Sequence, residues 1–257
     1  MMMLKKCLVS CVCVITAISL AGCNGGNANS QPADGSTKSS APTPAKSVPG
    51  GVEKQKPAPG TGNVQGKVLF NGKPVENIEV KLCEKFNRFL GGCDGKTYTA
   101  RTDANGEYVI ADAEPKVYEG LLARVFETDS YIFAASGIGG LSSTTYEVAP
   151  DKTLFIASTN LFKSDLKLLN PKAGAKTSAE NLELKWDAYP DAAYYKFSIY
   201  AETPTVTSPY VNERVEATSF AVDKPLEKGT YRWQVNAFNG ADQKLAESGD
   251  NIKFTIN

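Results

Sequence analysis

Apolar and polar residues alternate in short runs through most of the chain after position 62, and the pattern is absent before it. The run "VQGKVLF", residues 64–70, sets Val64, Gly66, Val68 and Phe70 on one face. It is followed by "NGKP" at 71–74, and Asn-Gly is the strongest short hairpin signal. In "NIEVKL", residues 77–82, Ile78, Val80 and Leu82 turn inward while Glu79 and Lys81 face water. The stretch "TYTARTDANGEYVI", residues 97–110, alternates on both sides of a turn at 103–106. Later, "LELKW" buries Leu182, Leu184 and Trp186, and "YKFSI" buries Tyr195, Phe197 and Ile199. "LEKGTYRWQVNAF" aligns Tyr231, Trp233, Val235 and Ala237, and "IKFTI" at 252–256 supplies a closing strand. Short runs of period two bounded by turn residues predict half-buried strands, so the fold expected is all-β.

The 257 residues leave room for two domains of about 100 residues each. The pattern divides them into a β-sandwich over residues 63–165 and a second over 166–257, with a short hinge expected near Pro171 and Gly174. Residues 24–62 are dominated by Gly, Ser, Pro, Ala, Asn and Lys, without apolar periodicity. Such a segment buries too little to fold, and a coil of about 39 residues reaches roughly 35 Å. It reads as a disordered stalk.

The first residues differ again. Lys5 and Lys6 precede an apolar run of about 14 residues from Cys7 to Leu20, and "LAGC" follows at 20–23. The order of basic, apolar and small residues is that of a secretion signal, and the run is shorter than the roughly 20 residues of a spanning helix. "LAGC" resembles the lipobox of bacterial lipoproteins. The resemblance implies cleavage after residue 22, a diacylglyceryl thioether on Cys23 and an acylated amine, giving more than one chain to hold the membrane. The mature chain would lose two lysines and no acid, leaving it two charges negative. Asn24, in place of Asp, favours the outer membrane in a host that has two.

Two more resemblances concern the folded part. The order "GKV", "NGKPV", a short strand and "TDANGEY" resembles carboxypeptidase-regulatory-like or transthyretin-like domains, seven-stranded sandwiches used as stabilising or adhesive modules. It covers residues 64–110 and fades after "YEGLLARVF", where "GIGGLSS" at 137–143 reads as an added loop. The second unit resembles a fibronectin type III domain. Trp186 stands on its second strand and Tyr231, Val235 and Ala237 on its sixth, while Leu226 and Tyr231 fit a tyrosine corner.

Composition narrows the chemistry. The chain has no histidine, the usual general base near neutral pH and the commonest metal ligand. Ser-His-Asp, Cys-His and His-ligated metal chemistry are excluded within it. Lys+Arg and Asp+Glu are both 28, so no basic surface for nucleic acid is implied.

Of six cysteines, Cys7, Cys11 and Cys13 leave with the signal and Cys23 takes lipid. Cys83 and Cys93 remain; in an exported domain they are expected to form a disulfide, worth about 2–4 kcal/mol, rather than a metal site. The bond would close "CEKFNRFLGGC", read as an inserted loop displaying Lys85, Phe86, Arg88 and Phe89. These aromatic and cationic groups are a candidate binding surface, unless Phe86 and Phe89 cap the core instead. Tyr194 and Tyr200 fall on the outward parity of their strand, and Arg232 and Phe238 on that of another, a second candidate surface for stacking on sugars.

Other motifs fail on counting. "DANGE" has glycine fourth rather than sixth, which suits a turn and not a calcium loop. "GGCDGKT" lacks the first glycine of a P-loop, where Leu90 stands. "SDLK" at 164–167 lacks the partner motifs of serine acyl-enzymes, and nothing specific selects Lys67 and Asn160 for an isopeptide bond. No cofactor, metal or nucleic acid is expected. The reading is a non-catalytic, lipid-anchored envelope protein for adhesion, scaffolding or assembly, with a protein or glycan partner. Carbohydrate binding on a starch-binding-like sandwich is the alternative, and an envelope hydrolase the third.

Overall fold

Two separate apolar clusters organise the chain, one built from residues 64–162 and the other from 166–256. The computed structural model describes residues 43–44, 52–87, 92–134, 144–203, 208–249 and 252–257, and these contain strands and turns but no helix. Cys23, the signal and the stalk before residue 52, apart from a two-residue strand at Thr43–Pro44, lie outside them, as do Arg88, Phe89 and the expected loop at 137–143.

In the first sandwich, the strand Gly62–Phe70 is the centre of one sheet. It runs antiparallel to Glu107–Ala113 and parallel to both Thr153–Phe155 and Thr159–Asn160. The other sheet is antiparallel, in the order Gly92–Arg101, Glu79–Asn87, Gly120–Arg124, Tyr131–Phe133. Alternation drives both. Val64, Val68, Tyr108 and Ile110 from one sheet meet Val80, Leu82, Leu121 and Ala123 from the other in a single buried cluster. Burying each large aliphatic side chain contributes about 1.5–3 kcal/mol. The Asn-Gly turn forms as expected, with Asn71 at φ 50° and Gly72 at φ 72°, the left-handed pair that a two-residue hairpin needs.

Ten residues that composition assigned to the stalk are packed on the first sandwich. Residues 52–61 lie against the first sandwich, held through buried carboxamides rather than apolar contacts. Gln65 accepts from the Lys54 backbone at 3.0 Å and donates to the Val52 carbonyl at 2.9 Å, and Asn63 donates to the Gln55 carbonyl at 2.8 Å. Lys54 also pairs with Asp103 at 2.7 Å and with Glu107. Composition could not show this, because the partners belong to the strand and not to the segment.

The second sandwich sets Leu168–Asn170, Glu183–Trp186 and Ser219–Ala221 in one sheet. The other carries Tyr210–Val215, Tyr194–Ala201 and Gly229–Phe238, the last paired with both Lys244–Ser248 and Ile252–Ile256. Trp186, Phe197, Tyr231 and Trp233 fill its core. Tyr231 closes a tyrosine corner, its hydroxyl donating to the Glu227 carbonyl at 2.9 Å. Tyr118 does the same in the first sandwich, donating to the Glu114 carbonyl at 2.9 Å.

Pro171 and Gly174 are not a hinge between the sandwiches. They lie inside the second, where the chain leaves Glu183–Trp186 after Leu168–Asn170 and joins Ile252–Ile256 through Ala175–Thr177. Pro171 is buried, and its carbonyl accepts from Trp233 Nε1 at 3.2 Å. The true junction is two residues, Leu161 and Phe162, between Thr159–Asn160 and Lys163–Leu166; both are buried in the first core. Beside it, Asn71 donates to Asp191 at 2.8 Å and accepts from Asn239 at 2.8 Å.

One glycine is fixed by a close approach. A Cβ at Gly66 would sit 2.5 Å from the Tyr108 hydroxyl and 2.7 Å from its Cζ, on a ring only 2% exposed. Overpacking of this kind costs about 1–3 kcal/mol. We expect Gly66→Ala to lower unfolding stability by that amount in chemical denaturation. Gly240→Ala, which meets nothing within 4 Å, is the control and should leave stability nearly unchanged.

Candidate functional site

The disulfide forms between Cys83 and Cys93, with Cα atoms 5.3 Å apart. It does not close a free loop. Glu79–Asn87 and Gly92–Arg101 pair on both sides of it, Cys83 opposite Thr97 and Phe86 opposite Cys93, with a register shift between Cys83 and Lys85. That shift turns Phe86 onto the outer face of the sheet. There it meets Phe133 edge-on, centroids 4.8 Å apart, in a small cluster with Cys83 and Leu122. Phe86 is therefore half-buried, capping a satellite cluster and not the main core.

Next to this cluster is a residue that the sequence reading passed over. Tyr131 donates to Glu79 Oε1 at 2.7 Å and accepts from Lys81 Nζ at 2.9 Å, while Lys81 and Glu79 pair at 3.0 Å. The hydrogen bond from Tyr131, and after it Lys81, hold the Glu79 carboxyl below its ordinary value. Lys81 is held above its own, first by the same tyrosine. A hollow of about 640 Å³ opens here, walled by Phe86, Tyr131 and Phe133 with Lys81 and Thr97 at its side.

On the second sandwich, the two expected strands are neighbours, with Tyr194 opposite Phe238 and Tyr200 opposite Arg232. The exposure expected of Tyr194 is corrected: it is 2% exposed. Phe238 stacks on it at 5.1 Å, the Arg214 guanidinium lies 3.7 Å from its ring centre, and its hydroxyl donates to Asp242 at 2.9 Å. Outward parity placed the ring on the correct face, but its neighbours cover it. Tyr200 stays half-exposed, with Arg232 5.2 Å from its ring.

Between the two sandwiches is a cleft of about 780 Å³. Its polar lining includes four carboxamides, Asn160, Asn212, Asn236 and Gln243, beside the hydroxyls of Ser130, Tyr131 and Ser164 and the charged Asp242, Lys244 and Glu247. Gln243 donates to Asn160 at 3.4 Å, whereas the side chains of Asn212 and Asn236 make no hydrogen bond among the described residues. Lys244 and Glu247 pair at 2.5 Å, and Ser164 donates to Glu247 at 3.1 Å. This cleft and the disulfide-side hollow share Ser130 and Tyr131 in their walls.

The remaining motifs are occupied by structure. Asp103 accepts from the Asn105 and Glu107 backbones at 2.8 and 3.0 Å, as a turn residue does. Lys67 points to a hollow beside Lys54 and Glu107, away from Asn160 in the inter-sandwich cleft. Among the described residues, no three Cys, Asp or Glu side chains converge as a metal site.

No protein-family profile and no curated protein matches the chain. Solved structures are similar to it. Fibronectin(III)-like modules of Clostridium thermocellum CbhA align at 17% identity over 76% of this chain and 90% of that one, with TM-score 0.28. A DUF3823 family protein from Bacteroides ovatus aligns at 11% over 76% and 100%, with TM-score 0.24. The FN1–FN3 domains of chicken CNTN1 align at 14% over 77% and 67%, with TM-score 0.28. The three-stranded sheet facing a seven-stranded one and the Tyr231 corner are features of the chain itself.

The Tyr131 link is open to measurement. A carboxyl held low stabilises the fold at neutral pH, and that contribution is lost as pH falls through the depressed value. In Tyr131→Phe, a carbon-detected NMR titration should show Glu79 moving up toward its ordinary 4.5, the remaining depression coming from Lys81 and Arg101. An unmoved titration would show that the hydroxyl does not hold it.

Proposed function

We propose that this chain is a lipid-anchored, extracytoplasmic protein of a bacterial envelope that binds or scaffolds without catalysis. The observation that carries the reading is "LAGC" at 20–23 behind a basic and apolar leader. Cys23 takes the lipid, the segment before residue 52 serves as the tether, and the sandwiches are the presented part. On this reading the first sandwich is carboxypeptidase-regulatory-like, and Asn24 directs the protein to the outer membrane where two membranes exist.

Two further observations support it. The Cys83–Cys93 bond belongs to an oxidising compartment, where disulfides persist. A chain without histidine lacks the commonest proton-transfer group, which favours binding over catalysis. Its partner is a protein or glycan met outside the membrane, reached by a tether long enough to clear lipid headgroups.

Intact-mass analysis of the native protein should find Cys23 as the first residue, carrying a thioether-linked diacylglyceryl group. Cys23→Ala should remain an uncut precursor and leave the lipidated membrane fraction in detergent partition. A native protein that begins at Met1, or keeps a free thiol on Cys23, would end the proposal.

A further inference from the structure

We infer that the cleft between the sandwiches and the disulfide-side hollow form one groove for a neutral oligosaccharide chain, running past Tyr131. This deepens the proposed binding role and rests on it only in being non-catalytic. The lining selects the ligand class. Asn212 and Asn236 offer carboxamides that no described residue uses, and each supplies both donor and acceptor, the pairing that adjacent sugar hydroxyls require. Phe238, partly exposed, offers an apolar edge beside them, while Val125, Ile132 and Phe162 line the cleft from almost fully buried positions.

Charge argues against an anionic ligand. Lys244 is paired with Glu247, and Asp242 accepts from Tyr194, so the cleft holds no spare cation among its described walls. A protein partner fits less well, since interface cores favour apolar and aromatic residues over a lining of amides, hydroxyls and paired charges. Volume and shape set the length. About 780 Å³ falls within the range of small-molecule sites, and the second hollow adds about 640 Å³ beyond Ser130 and Tyr131. A single sugar would fill a fraction of this; a chain would use both ends, with Phe86, Tyr131 and Phe133 as the aromatic wall of the far one.

The test titrates the full chain, in detergent, with neutral cello-, malto- and xylo-oligosaccharides of increasing length, read by calorimetry. Binding of one series should strengthen with length until the groove is filled. Asn236→Ala should weaken it about tenfold, the loss of a hydrogen bond or two, with thermal stability unchanged because its carboxamide holds nothing in the fold. Tyr131→Ala should remove the advantage of long chains over short ones.

The inference is overturned if no neutral series binds at millimolar concentration, or if the Asn212→Ala, Asn236→Ala double variant binds as the parent does. Equal or tighter binding of an acidic oligosaccharide, or capture of a protein through Asn212 and Asn236 with no sugar binding, also overturns it. Sugars recovered cut from the complex would remove the non-catalytic reading and leave the groove standing. A lipidated protein that binds no sugar would do the reverse.

Discussion

The two buried residues at the junction set the form of everything around them. Leu161 and Phe162 join strands of different sandwiches and are both sunk in the first core, so no loose chain separates the units. Their burial is worth about 1.5–3 kcal/mol each. The polar ties beside them, Asn71 to Asp191 and to Asn239, contribute about 0.5–1.5 kcal/mol apiece. The apolar junction therefore leads and the hydrogen bonds refine the angle. Because the connection is so short, the outer face of the Tyr194–Ala201 sheet is brought against the Tyr131–Phe133 edge, and the space left between them is the cleft.

Much of this fold could be read from alternation. Val64, Val80, Leu82, Leu184, Phe197, Trp233 and Val235 are all fully or almost fully buried, as their parity required. Period two states which side of a sheet a residue takes, and that is a local property. It does not state what covers that side. Tyr194 was placed correctly outward and is buried nonetheless, because Arg214, Phe238 and Asp242 arrive from other parts of the chain. The same limit explains Phe86, whose partner Phe133 is 47 positions away and whose strand shifts register at the disulfide.

Errors of organisation had a different cause. Proline and glycine near 171–174 carry the composition of a linker, yet here they let one strand pass from sheet to sheet inside a domain. The actual junction is apolar and had no linker signature at all. Residues 52–61 were assigned to the stalk by the same compositional logic, while the buried amides of Asn63 and Gln65 that hold them were read as ordinary strand positions. The cleft was the least legible part, for its walls are drawn from residues between 125 and 247. One partial signal was present: Arg232, Gln234, Asn236 and Phe238 share a single outward row.

The ionisable groups bear on the kind of function such a molecule supports. An acid catalyst working near neutral pH needs a carboxyl pushed upward by burial or by a like charge. Glu79, Glu84, Asp103, Glu114, Glu183 and Glu202 are instead all held below their ordinary values, each chiefly by a hydrogen bond from a lysine, a tyrosine or a backbone N–H. Five of these six carboxyls lie apart from the inter-sandwich cleft and the hollow beside Phe86, and Glu79 meets the hollow only through Tyr131 and Lys81. Charge in this protein ties strands to one another and residues 52–61 to the first sandwich, and the Lys244–Glu247 pair in the cleft and the Lys81–Glu79 pair beside the hollow are likewise engaged within the fold.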